Sequence, residues 1–130
     1  MLVPNDLKYS KTDEWIKVQG TTGIIGISDY AQSQLSDVVF VEIVAKVGEN
    51  AKKGTTCATI ESVKAAADVS FPAGGKVLEI NQSLPDNPEI VNSDPYDKSW
   101  ILKIQLTDPS DLSDLMDAAS YEAYCQERNH

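Results

Sequence analysis

The apolar residues of this chain come in short runs rich in β-branched side chains, each closed off by turn formers, and that spacing points to a mainly β fold. "EWIKV" (14–18) and "GIIGI" (23–27) flank the turn "QGTT". "VVFVEIV" (38–44) is an almost unbroken apolar run, as in a strand covered on both faces. "WILKIQL" (100–106) alternates, with Trp100, Leu102, Ile104 and Leu106 on one side and Lys103 and Gln105 on the other, the pattern of a half-buried strand. Helix signals are few. Ser28 can N-cap a short helix through "DYAQSQL" because its hydroxyl satisfies an orphan backbone donor. In "DPSDLSDLM", Asp108 is a cap and Pro109 stands first in the helix, where its missing N–H costs nothing. Leu112, Leu115 and Met116 would then form an apolar stripe, and Tyr121, Tyr124 and Cys125 another; both read as packing surface. "SLPDNPEIVNSDPYDKS" (83–99), with three prolines, reads as a loop laid over the sheet. The expectation is a β-sandwich or partly flattened barrel with short helices at its edges.

At 130 residues the chain fits one domain, 1–130, and can bury a real core. A net charge of −9 with Arg128 as its single arginine excludes nucleic acid, whose phosphates need clustered basic groups, and an anionic membrane surface. That acidity serves solubility, or steers the protein toward basic faces of partners. Cys57 and Cys125 form no CxxC pair, and with no secretory signal both read as free thiols in a reducing compartment. "NQS" (81–83) is then a chance glycosylation match, and no apolar run approaches the roughly 20 residues a membrane helix needs. The only histidine is the terminal His130, so neither a Ser-His-Asp or Cys-His arrangement nor a His/Cys metal cluster is supported. Such a chain is poorly equipped for chemistry by its own side chains.

"IESVKAAADVSFP" (60–72) stands apart. Lys64 sits between two strand-like runs, "TTCATIES" and "AAADVSFP", with no acidic residue beside it, and Gly54 and Gly75 bracket the segment. A hairpin here puts Lys64 near its tip, its side chain in solvent on a backbone held by cross-strand hydrogen bonds. Small Ala65, Ala66 and Ala67 leave room for a large enzyme to approach. Those are the requirements of an acylated lysine, although a charge guarding a strand end against aggregation satisfies the same spacing. Other motifs fall away. "AGGKV" lacks the upstream glycine and following Ser or Thr of a P-loop, and Gly20, Gly23 and Gly26 are misspaced for a dinucleotide fingerprint. Trp15 and Trp100 read as packing residues.

Several ordered blocks resemble the glycine cleavage system H protein family, the lipoyl carriers of that system. They are "LKYSKTDEW" (7–15), "GISDYAQSQLSDVVFVEI" (26–43), "ESVKAAADV" (61–69), "GKVLEIN" (75–81), "NPEIVNSDPY" (87–96) and "SYEAY" (120–124). The resemblance implies the flattened barrel-sandwich hybrid of lipoyl and biotinyl carriers, with short peripheral helices including C-terminal ones. It implies lipoate in amide linkage on Lys64, with Glu61 as the glutamate three residues before it that marks the family. Biotin carriers flank their lysine with methionines, and lipoyl domains of 2-oxo acid dehydrogenases place an aspartate directly before it; Val63 and Ala65 fit neither. Three positions depart from the family pattern: Asp13 stands where histidine is usual, and Ser36 and Ser99 where glycine is usual.

By the same resemblance the chain is a carrier, not an enzyme. It takes the aminomethyl group from a pyridoxal-phosphate glycine decarboxylase (P protein) to a tetrahydrofolate-dependent aminomethyltransferase (T protein), and presents dihydrolipoyl to dihydrolipoyl dehydrogenase (L protein). Lipoylating enzymes are further partners. Thr12, Glu14 and Asp68 match the lining of a cleft that shelters the loaded arm, where carboxylates pair with its ammonium group. A monomer in the bacterial cytoplasm is expected, a mature mitochondrial form being the alternative. A lipoate relay, a biotin carrier and an unmodified scaffold are the competing functions.

Overall fold

In the computed structural model, which describes residues 1–128, the short runs become two antiparallel sheets. The strands are β1 (Lys8–Tyr9), β2 (Glu14–Gln19), β3 (Thr22–Ile27), β4 (Val38–Ile43), β5 (Asn50–Ala51), β6 (Thr56–Ser62), β7 (Ala66–Ser70), β8 (Gly75–Ile80) and β9 (Leu102–Leu106). One sheet has the order β1-β2-β3-β9-β8-β5 and the other β4-β6-β7. Helices α1 (Asp29–Leu35), α2 (Ile90–Ser93) and α3 (Ala118–Arg128) lie between and after the strands. The architecture is the mainly β, sandwich-like one expected from the sequence, with a C-terminal helix.

Local chemistry sets the elements. β2 and β3 pair from Glu14↔Ile27 to Gln19↔Thr22, leaving Gly20 and Thr21 as a two-residue turn in which Gly20 takes φ 62. Ser28 caps α1 as expected, its Oγ accepting from the Ala31 N–H at 3.1 Å. The main core joins both sheets: Ile16, Ile25, Val77 and Ile104 meet Val41, Ile60 and Val69. A second cluster, Leu7, Tyr9, Trp15, Tyr30, Tyr121 and Cys125, lies under α3. Trp15 donates its indole N–H to the carbonyls of Ile27 and Pro95, both at 2.9 Å, and is a core residue; Trp100 is half-buried beside it. Both cysteines are free and buried, and burial pushes the Cys57 thiol well above its ordinary pKa, which makes it inert. Asn81 of "NQS" spends its side-chain amide on the carbonyls of Lys98 and Trp100. Among the described residues no helix is long and apolar enough to cross a membrane.

Three expectations change. Strand β4 is not covered on both faces: Val39 is 55% and Phe40 45% exposed, because the small sheet has one solvent-facing side and a bulge between Val38 and Phe40 turns Val39 and Phe40 outward, leaving Val38 and Val41 in the core. The helix begun at Pro109 is one 3-10 turn ending at Leu112, so Leu112, Leu115 and Met116 share no helical stripe. Met116 instead exchanges two backbone hydrogen bonds with Tyr9, at 2.8 and 2.9 Å, adding a rung to the large sheet. The 83–99 loop contains the short helix α2, formed where Val91 is buried against the core. His130 lies outside the described residues.

Candidate functional site

Strands β6 and β7 run antiparallel with Thr59↔Asp68, Ile60↔Ala67 and Glu61↔Ala66 opposite one another, so Lys64 stands in the connecting turn. Ser62 holds that turn. Its N–H donates to the Ala65 carbonyl at 2.8 Å, and its Oγ accepts from the N–H groups of Lys64 (3.3 Å) and Ala65 (3.1 Å). The turn is also tied sideways, since Val63 N–H donates to the Asp37 carbonyl at 3.0 Å. Lys64 is exposed and makes no ion pair among the described residues. Ser62 was not singled out from the sequence, although a serine two residues before a turn residue is the usual signal for such a hydroxyl brace.

A cleft of about 270 Å³ opens beside Ala65, between the β7 edge, α1 and the turn that precedes β2. It brings Thr12, Glu14 and Asp68 together, with Asp13, Ala31 and Leu35 among the other lining residues. Glu61 is not part of it. That side chain is exposed on β6, opposite Phe40 on one neighbour and Ala66 on the other.

Glu14 is the least expected member. It is 1% exposed, and its carboxylate is fully engaged: Oε1 accepts from the hydroxyls of Ser10 (2.6 Å) and Thr12 (2.5 Å), and Oε2 from the Ser70 N–H (3.1 Å). Burial raises its pKa; the donors from Ser10, Thr12 and Ser70 oppose that shift, and the neighbouring Asp13 charge adds to it. The Ser70 contact also satisfies a backbone donor on the open edge of β7, stitching the turn before β2 to the lysine hairpin. Asp68 is exposed at the cleft mouth. Ser10 and Ser70 were not legible as site residues, since only the fold brings them to Glu14. A second hollow, about 360 Å³, reaches Thr12 and Glu14 past Lys53 and Phe71 and contains no residue of the lysine turn.

The three departures have distinct settings. Asp13 has φ 78 and accepts from the Tyr121 hydroxyl (2.8 Å) and from both terminal nitrogens of Arg128 (2.6 and 3.2 Å). Ser36 follows α1 with φ 64 and ψ −146. Ser99 is buried and donates its hydroxyl to the Asp94 carbonyl at 2.7 Å.

Comparison with known proteins identifies the family. A family profile described as "Glycine cleavage H-protein" matches residues 7–128. The glycine cleavage system H protein of Symbiobacterium thermophilum is 50% identical over 125 residues, covering 96% of this chain and 97% of that one. That of Staphylococcus saprophyticus is 49% identical, covering 93% and 95%. The crystal structure of a glycine cleavage system H protein from Mycobacterium marinum superposes with a TM-score of 0.85 at 30% identity, covering 98% of this chain and all of that one. The chain therefore belongs to the glycine cleavage H-protein family, whose members are lipoate carriers and not enzymes.

Proposed function

We propose that this chain, acting as one domain over residues 1–130, is the lipoyl shuttle of a glycine cleavage system, with lipoate in amide linkage on Lys64. The observation that carries the reading is the placement of Lys64: exposed, on a turn braced by Ser62, one residue from a cleft walled by Ala65 and Ala67. The residues fit the group. An amine on a firm backbone is open to a lipoylating enzyme, for which Glu61, exposed one hairpin rung from the turn, is the recognition residue. The cleft offers apolar walls for an alkyl arm and carboxylates for a cation at its end.

When bound, lipoate supplies a disulfide that accepts the aminomethyl group and is afterwards restored by oxidation. What the chain contributes is placement and shelter. Lys64 fixes where the arm begins and raises its local concentration for each enzyme docked nearby. Thr12, Glu14 and Asp68 provide a polar end to the cleft, and the buried Glu14 carboxylate is the group that gains most from a cationic neighbour. The partners are the decarboxylase, the aminomethyltransferase, the dihydrolipoyl dehydrogenase and the lipoylating enzymes. In this reading the protein works as a monomer in the cytoplasm, which the bacterial origin of its relatives supports.

Intact mass of the natively expressed protein separates lipoyl, biotinyl and unmodified forms. The lipoyl increment is expected, and Lys64→Arg is expected to remove it completely. A biotinyl increment, or a lipoyl increment that survives Lys64→Arg, overturns the assignment.

A further inference from the structure

The described part of the chain ends in a helix that touches two walls of the cleft at once. Tyr121, completely buried, stacks on Tyr9 with ring centroids 4.5 Å apart. Its hydroxyl donates to Asp13 Oδ1 at 2.8 Å and lies 2.6 Å from Ser28 Oγ. The carboxylate has no proton to give, so the phenol donates to Asp13 and Ser28 donates to the phenol. Asp13 belongs to the turn that carries Thr12 and Glu14. Ser28 caps α1, which supplies Ala31 and Leu35 to another side of the cleft. One hydroxyl thus joins the two sides.

Arg128 repeats the connection about two helical turns further along α3. Its guanidinium forks onto both Asp13 oxygens, at 2.6 and 3.2 Å, and lies 4.4 Å over the ring of Tyr30, a buried residue of α1. Tyr124 supports its other contact at 4.1 Å. Asp13 needs such holding, because a non-glycine residue at φ 78 is in sparsely populated backbone space. A backbone bond from Ser28 N–H to the Asp13 carbonyl, at 2.9 Å, closes the same junction.

We propose that α3 is a clamp that sets the cleft's width, with Tyr121 and Arg128 as positioning residues for the arm. Neither touches the cleft's contents. Each acts through Asp13 on one side and α1 on the other. The proposal rests on the reading that this cleft shelters the cargo of the arm on Lys64, and it accounts for an aspartate at position 13: the chain's single arginine is its partner.

Hydrogen exchange on the unmodified full chain tests the clamp without any activity. In Tyr121→Phe and Arg128→Met, exchange at the amides of Asp13, Glu14 and Ala31 is expected to quicken at least tenfold, while Ile60 and Val69 in the core keep the wild-type rate. Equal acceleration everywhere would mean general destabilisation and would overturn the proposal, as would no change at the three amides. Arg128→Lys keeps one charged donor to Asp13 and should recover part of the protection. If it behaves like Arg128→Met, the arginine acts by packing on the tyrosines and the clamp through Asp13 is refuted. With lipoylated protein charged from isotope-labelled glycine, loss of label to water in the absence of the aminomethyltransferase should be at least threefold faster in both variants; an unchanged rate also refutes the proposal. If the wild type takes up no label, the functional reading fails, and the exchange comparison still decides the clamp.

Discussion

Ser36 occupies a backbone conformation, φ 64 with ψ −146, that side chains with a Cβ avoid. Its N–H and carbonyl are used, by Gln32 and Asn92, but among the described residues its hydroxyl makes no hydrogen bond that would offset the strain. Ser36→Gly should therefore stabilise the fold by about 1 kcal/mol, read as a higher urea midpoint at unchanged slope; a loss of stability would show that the serine has an unseen role. Glu14 yields a prediction of opposite character. Its raised pKa means that the folded chain holds this proton more tightly than the unfolded chain does. The corresponding stability is present below the ordinary glutamate value of 4.5 and is lost as pH rises through the raised folded value. In urea titrations, the stability of wild type minus that of Glu14→Gln should fall from about pH 4.5 upward and then level off. A difference that grows with pH would mean that the hydroxyl donors of Ser10 and Thr12 outweigh burial. Neither the burial of Glu14 nor the Asp13–Arg128 pair was legible in the sequence, because both depend on residues brought together from distant positions.

The elements were legible in proportion to the length of their pattern. β2, β3, β6, β7 and β9 announce themselves by β-branched runs or alternation over five residues or more, and α1 by its serine cap. β1 and β5 have two residues each, too few to show a period, and exist because neighbouring strands accept them. β8 was read as part of a familiar block and not as a strand; its Leu78 faces outward and blurs the alternation. The continuous apolar run of β4 was misread because composition cannot say which faces are covered. The join of β8 and β9 depends on a glycine. A Cβ on Gly75 would run into the backbone carbonyl of Gln105, which cannot move without breaking the ladder. Gly75→Ala should destabilise by about 2–3 kcal/mol in urea unfolding. A near-neutral result would show that the strand end gives way freely.

At the scale of the molecule, two sheets share one core, and the small sheet turns its other face to solvent. That outer face is acidic: Glu42 and Asp68 flank Thr59 on one rung, and Glu61 lies on the next. With a net charge of −9 overall, an enzyme that acts on Lys64 as proposed would meet a negative field on approach, which favours basic docking faces and weakens with salt. The carrier identity was legible because several blocks occur in order; the cleft's construction was not, since it depends on how three separate segments converge. The Ser62 brace has a geometric corollary. If Lys64 carries the arm as proposed, a braced mount leaves the tether's own span as the full radius of travel, so each partner would have to keep its reaction centre no deeper below its own surface than that radius. On that proposal depth, as much as charge or shape, would limit which enzymes this protein can serve.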